Sequence, residues 1–99
     1  ADADALRERL REMAAEVAAD LQKHNLLAHT VRVKFRAPDF TTFTRQRSLE
    51  IGIDDAETLY RIAAAIWAEH WPPGKPLRLL GIAAAGLVAG EGRQLGLGL

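Results

Sequence analysis

Cysteine is absent from this 99-residue chain, which excludes a disulfide framework and a thiolate metal site. That absence fits an intracellular protein. No apolar run reaches the length of a membrane span, and the N-terminus has the pattern of a charged helix rather than a signal peptide. The formal net charge is zero, so bulk charge gives no argument for a nucleic-acid partner. The length predicts one small domain with a modest core.

Motifs that carry catalysis or bind metal are also scarce. His24, His29 and His70 share no metal-ligand spacing, and without cysteine a zinc site is not expected. The sequence has no Gly-rich phosphate loop and no nucleophile–base pair. Trp67 and Trp71 are interpreted as packing residues rather than base-stacking platforms. We therefore expect no catalytic residue, no metal and no cofactor in this chain.

The charges that are present are unevenly distributed. The first helical pattern mixes acidic and basic residues, whereas residues 30–48 contain a single acid, Asp39. The cations of that segment are Arg32, Lys34, Arg36, Arg45 and Arg47. One part of a neutral protein is therefore distinctly basic.

Two segments have the periodicity of amphipathic helices. In residues 4–24 the apolar stripe is Leu6, Leu10, Met13, Val17 and Leu21, and His24-Asn25 is a stop signal. The second helix begins at Asp54-Asp55, with Asp54 as the predicted N-cap and Glu57 at the capping-box position. It stops before Pro72-Pro73-Gly74. Its predicted stripe is Leu59, Ile62, Ala63, Ile66 and Trp67.

Three segments have the pattern of strands. Residues 29–36 alternate apolar and basic side chains, the turn signal Ala37-Pro38-Asp39 follows, and residues 41–49 complete an antiparallel hairpin. The last strand runs from Leu77 to about Val88, with a possible bulge at Gly81. The order predicts an α+β, two-layer sandwich with two helices on one face of an antiparallel sheet and an open, basic opposite face. We assign 1–88 to this domain and 89–99 to a flexible C-terminal tail.

In the second strand, apolar and basic residues share the odd-numbered positions. Phe43 and Leu49 occupy odd positions, and so do Arg45 and Arg47. A regular strand would place these arginines on the apolar side, which is costly without partners. Either a bulge re-aims them or they reach past the sheet edge.

Three segments in the middle of the chain follow one another closely, namely Thr30–Arg36, Asp39-Phe40 and Thr44–Leu49. Together they resemble the central signature of the little finger domain of Y-family translesion DNA polymerases of the bacterial DNA polymerase IV type. At the expected distance follow Asp54-Asp55, Leu59-Tyr60 and Leu77–Ile82. The end of the chain, Gln94–Leu99, is similar to the sliding-clamp-binding peptide of that family.

The resemblance implies a β-α-β-β-α-β order, but here the first strand is missing because the chain begins almost directly with a helix. The palm, fingers and thumb are missing too, so we expect a piece of a larger polymerase. In the family order the first strand would lie inside the sheet, beside the last strand. We expect the tail or a partner's strand to fill that place; in the competing outcome the last strand pairs directly with the hairpin.

The function implied by the resemblance is to grip duplex template-primer DNA by its phosphates and to tether the polymerase to the sliding clamp (beta subunit). The rest of the polymerase chain is a further partner; a membrane is not. The parent would be a DNA-directed DNA polymerase, a nucleotidyltransferase of the bacterial cytoplasm and nucleoid, with magnesium in the absent palm. The expected DNA-binding residues are Thr30, Arg32, Lys34, Arg36, Thr44, Arg45 and Arg47. The expected clamp-binding residues are Gln94, Leu95, Leu97 and Leu99.

Other interpretations of the same features remain open. The basic strand face can be an ordinary solvated face, and the leucines of the tail an unspecific apolar end. The chain can also be a stand-alone α+β protein-interaction domain that binds another chain through its open sheet. A small single-stranded nucleic-acid binder is disfavoured, because exposed aromatics are not interleaved with the basic residues.

Overall fold

A computed structural model describes residues 3–71, 77 and 79–90 of the chain. They form α1 (Ala3–Lys23), β1 (Leu26–Arg36), β2 (Thr42–Ile53), α2 (Ala56–His70) and β3 (Leu79–Ala89), in that order. The helices pack on each other and on the sheet. The predicted α+β sandwich and its element order are therefore confirmed.

Helix α1 buries a slightly different stripe from the predicted one. Its buried side chains are Leu10, Met13, Ala14, Ala18 and Leu21, whereas Leu6 and Val17 are only half-buried. Small alanines let α1 lie close to its neighbours on that side. The helix ends as predicted, because Asn25 adopts a left-handed φ of 55°.

Helix α2 begins one residue later than predicted. Its N-cap is Asp55, whose carboxylate accepts a hydrogen bond from the Thr58 backbone N–H, so the prediction of Asp54 is wrong. Glu57 is not the capping-box residue; it forms ion pairs with Arg11 and Arg61. At the other end the Trp71 N–H donates to the Trp67 carbonyl.

The sheet has the strand order β2-β1-β3, and both pairs are antiparallel. Strand β3 therefore pairs directly with β1 of the hairpin, rather than with a strand from the tail or from a partner. Gly81 lies opposite Lys34 in an unbroken register, so the predicted bulge at Gly81 is wrong. The irregularity lies instead between Ala28 and Thr30, where the register of β1 with β2 shifts.

The core fills the space between the helices and one face of the sheet. At the hairpin end of this core, Phe35, Phe43 and Trp71 stack with ring centroids 5.0 to 5.8 Å apart. Trp71 is almost fully buried, which confirms its predicted packing role. Neither described helix is long and apolar enough to cross a membrane. The fully buried side chains of β1 in this core are Ala28, Val31, Val33 and Phe35.

Candidate nucleic-acid interface

The face of the sheet that points away from the helices carries the basic residues of β1. Val31, Val33 and Phe35 are fully buried on the helix side. Because successive side chains of a strand point to opposite faces, the even-numbered residues between them project from the open face. These are Thr30, Arg32, Lys34 and Arg36, and none of them is buried. We call Arg32, Lys34 and Arg36 the basic row.

A row of polar side chains lies beside the basic row on β2. Residues directly opposite each other in an antiparallel pair share a face of the sheet. Arg32 lies opposite Gln46, and Lys34 lies opposite Thr44. The full polar row is Thr42, Thr44, Gln46 and Ser48.

On the other side of Arg32 and Lys34, β3 presents small residues. Gly81, Ala83 and Ala85 lie opposite Lys34, Arg32 and Thr30. Gly81 and Ala83 line a shallow cavity of about 360 Å³ together with Arg32, Lys34, Thr44 and Ile82. A Cβ placed on Gly81 would meet only the Lys34 Cβ, at 3.9 Å, so packing does not require glycine there. The small residues leave a trough in which a ligand can approach the sheet beside the cations.

Cross-strand hydrogen bonds orient the two guanidinium groups of the basic row. The Arg32 Nε–H donates to Gln46 Oε1 at 3.0 Å, and the Arg36 Nε–H donates to Thr42 Oγ1 at 3.0 Å. Both bonds use Nε, and within the described part of the chain no hydrogen bond uses the two terminal nitrogens of either guanidinium, which remain for a ligand. This geometry suits an oxyanion with several acceptor oxygens, such as a phosphate.

The basic row differs from most of the other described arginines in its electrostatic environment. On the rest of the surface, acidic neighbours compensate most arginines. Among the described residues, no ion pair involves Arg32, Lys34 or Arg36. The open face is therefore positive although the formal net charge of the chain is zero. The compensated arginines are Arg7 with Asp4, Arg9 with Glu12, Arg11 and Arg61 with Glu57, and Arg47 with Glu69.

Arg45 and Arg47 lie on the helix side of the sheet, apart from the basic row. They pair with Val33 and Val31 in a regular register, so no bulge re-aims them. Arg47 Nη2 contacts both carboxylate oxygens of Glu69 at 2.8 and 2.9 Å. The Arg45 guanidinium lies 4.8 Å from the centre of the Phe43 ring. Because β2 is an edge strand, both side chains reach past the sheet edge rather than into the core.

The structure thus brings together five of the residues predicted to bind DNA, which are Thr30, Arg32, Lys34, Arg36 and Thr44. The sequence did not predict Thr42, Gln46 and Ser48 as site residues, because it does not give the hairpin register that aligns them with the basic row. It also missed Phe40, an aromatic residue at the hairpin tip that is 61% exposed. Its motif position beside Asp39 was the only signal. The predicted clamp-binding residues 94–99 lie outside the described residues.

Comparison with known proteins identifies the family. The model of the impB/mucB/samB family C-terminal domain matches residues 1–97. The chain belongs to this family. This match and the similarity to curated relatives confirm the resemblance to the C-terminal domain of DNA polymerase IV.

Similar curated proteins are named DNA polymerase IV. That of Methanoculleus marisnigri is 38% identical over 94 residues, which is 95% of this chain and 26% of the relative. That of Streptococcus thermophilus is 33% identical over 94 residues, which is also 95% of this chain and 26% of the relative. That of Pelotomaculum thermopropionicum is 37% identical over 68 residues, 69% of this chain and 17% of the relative. The chain thus spans about a quarter or less of the relatives it matches.

Among solved structures, the chain matches in part a complex of beta-clamp processivity factor and little finger domain of PolIV. Its TM-score is 0.43 at 24% sequence identity, and the match covers 80% of this chain and 64% of that chain.

Proposed function

We propose that the open sheet face grips duplex template-primer DNA by its backbone phosphates, as the DNA-binding module of a translesion DNA polymerase. The observation that carries this proposal is the basic row: Arg32, Lys34 and Arg36 have no ion pairs within the described part of the chain, whereas most arginines elsewhere do. A surface that keeps cations uncompensated is suited to a polyanion.

The spacing of the row fits a repeated anion. Alternate residues of a strand are separated by roughly 6.7 Å, so the row presents evenly spaced charges along a line. Thr44 and Ser48 add short hydroxyl donors beside them. Such donors contact phosphate oxygens and carry no base code, so the binding is independent of sequence.

The parent chain supplies the chemistry in this proposal. It is a DNA-directed DNA polymerase of the bacterial cytoplasm, with its catalytic magnesium bound by a palm domain outside this chain. The present domain adds grip on the template-primer duplex and contributes no catalytic residue. Gln94, Leu95, Leu97 and Leu99 tether the polymerase to the sliding clamp, which raises its local concentration at the primer end.

Fluorescence anisotropy with a labelled blunt duplex tests the proposal. An Arg32/Lys34/Arg36→Ala variant is expected to lose about tenfold or more in affinity at low salt. The matched control, Arg9/Lys23/Arg61→Ala, removes the same formal charge from exposed positions of the helices. We expect it to bind nearly as tightly as the unaltered chain. Equal losses in both variants would mean that only net charge matters and would refute a site on the open face.

A further inference from the structure

The hairpin tip holds Phe40 in a conformation that suits glycine rather than an aromatic residue. Its φ is 68°, in the left-handed region. The Phe40 N–H donates to the Ala37 carbonyl at 2.9 Å, and the Ala37 N–H donates to the Thr41 carbonyl at 2.9 Å. A residue that follows a tight turn in this way is usually Gly or Asn, because a bulky side chain is strained there.

This ring is also largely exposed to water. Phe40 is 61% exposed, although burial is what normally makes phenylalanine favourable in a fold. Residues that break local conformational rules in this way cluster at functional sites.

A short chain of hydrogen bonds connects Phe40 to the basic row. The Arg36 Nε–H donates to Thr42 Oγ1 at 3.0 Å. The Thr42 hydroxyl in turn donates to the Phe40 carbonyl at 3.4 Å. The only acid of the turn, Asp39, accepts the Thr41 N–H at 3.0 Å. The backbone of Phe40 is thus linked through Thr42 to Arg36, at one end of the basic row.

We infer that Phe40 stacks on an unpaired nucleobase of a strand whose neighbouring phosphates lie along the basic row. The inference rests on the proposed function. Nucleobases offer their faces only where they are unpaired or at the end of a stack, so the contact belongs to the single-stranded part of a template-primer junction. An exposed aromatic beside a line of cations is the usual arrangement for binding such bases. The uncompensated charge of the row favours a nucleic acid over a protein partner.

The test compares a blunt duplex with the same duplex carrying a single-stranded overhang, with 2-aminopurine at the first unpaired position. The unaltered chain is expected to bind the overhang DNA about fivefold or more tightly than the blunt duplex, and to quench 2-aminopurine fluorescence. Phe40→Asn suits the left-handed conformation and removes the ring. It is expected to abolish the preference and the quenching, while its affinity for the blunt duplex and its melting temperature do not fall.

Two further variants keep the result interpretable. Phe40→Trp retains an aromatic face and is expected to keep the preference, whereas Phe40→Leu retains apolar bulk and the same backbone strain and is expected to lose it. A Phe40→Leu variant with the full overhang preference would overturn the inference, and so would an unaltered chain that binds both DNAs equally. If the unaltered chain bound neither DNA, the proposed function itself would fail, which is a different outcome from equal binding.

Discussion

At the scale of single residues, Asp55 shows how one side chain fixes the start of an element. Its carboxylate accepts hydrogen bonds from the Thr58 N–H at 2.9 Å and from the Thr58 hydroxyl at 2.7 Å. These bonds, led by that from the hydroxyl, hold the pKa of Asp55 below its ordinary value. The charged form of Asp55 is therefore favoured in the folded protein.

We predict that Asp55→Ala lowers the free energy of unfolding by about 1 kcal/mol at neutral pH, because the first turn of α2 loses its cap. Since the folded pKa is depressed, the contribution of the charge is fully present above the unfolded pKa of about 3.9 and is lost as the pH falls through the folded value. Urea unfolding at neutral pH and in the acid range measures both effects.

Asp55→Asn is the matched control for the charge. Asparagine caps helices nearly as well as aspartate, so this variant is expected to keep most of the stability at neutral pH and to lose less of it in acid. An Asp55→Ala variant as stable as the unaltered chain would contradict the assigned cap.

Single residues are also where the sequence predicts least. Asp54 and Asp55 are equally good N-cap types, and only the path of the backbone decides between them. Phe40 was not predicted as a surface residue, because an aromatic in a hairpin is normally counted toward the core. The sequence does predict Asn25 as the end of α1, since few residue types tolerate its backbone conformation.

At the scale of elements, the aromatic cluster of Phe35, Phe43 and Trp71 packs the hairpin against the end of α2. Phe35 is fully buried, and its ring contacts both of the other two rings. We predict that Phe35→Ala lowers the free energy of unfolding by about 3–5 kcal/mol, measured by urea denaturation. Phe43→Ala serves as a comparison, because that ring is only half-buried and should cost less. Equal, small losses in both variants would show that the cluster does not anchor the hairpin.

The trough along β3 gives a second prediction for an element. Ala83 is exposed on the open face, opposite Arg32. We predict that Ala83→Glu weakens duplex binding about tenfold at low salt, because its carboxylate neutralises the neighbouring cation and repels phosphate. Stability should change by less than about 0.5 kcal/mol, since no core contact is altered.

Ala83→Gln is the neutral control of the same size. It is expected to weaken binding less than Ala83→Glu, and the difference between the two measures the effect of charge. Duplex affinity unaffected by Ala83→Glu would place the DNA somewhere other than this face.

The faces of β1 could be predicted from the sequence, because the alternation from Thr30 to Arg36 is strict. The pairing of β3 with β1 could not, because periodicity does not say which edge of a hairpin accepts the next strand. The sequence correctly indicates that the odd positions of Arg45 and Arg47 place them on the apolar side of the second strand. How they are accommodated there, on an edge strand with an ion pair to α2 and a contact with Phe43, requires the packed structure.

At the scale of the whole molecule, the zero net charge hides a separation of charge between the two layers. Several acidic residues of the helices pair with arginines, and no ion pair within the described residues involves the cations of the open sheet face. The paired acids are Asp4, Glu12, Glu57 and Glu69. Composition alone therefore gave no indication of a polyanion partner. The distribution along the chain did, because residues 30–48 are basic as a segment.

The tail is expected to act independently of the domain. We predict that deleting residues 94–99 abolishes binding to the sliding clamp and leaves duplex affinity and melting temperature unchanged. The reason is that the basic row and the described core lie entirely within residues that precede the tail. Surface plasmon resonance on immobilised clamp, with duplex anisotropy in parallel, checks both halves. Full clamp binding by the shortened chain would contradict the tether.

The salt dependence of duplex binding tests the central claim most directly. The basic row neutralises about three phosphates, so the slope of log affinity against log salt concentration is predicted to be about −2.7. In the Arg32/Lys34/Arg36→Ala variant the slope should fall close to zero, whereas Arg45→Ala should leave it unchanged. A slope that the triple substitution does not alter would contradict the account, because the phosphates would then lie on another surface of the molecule.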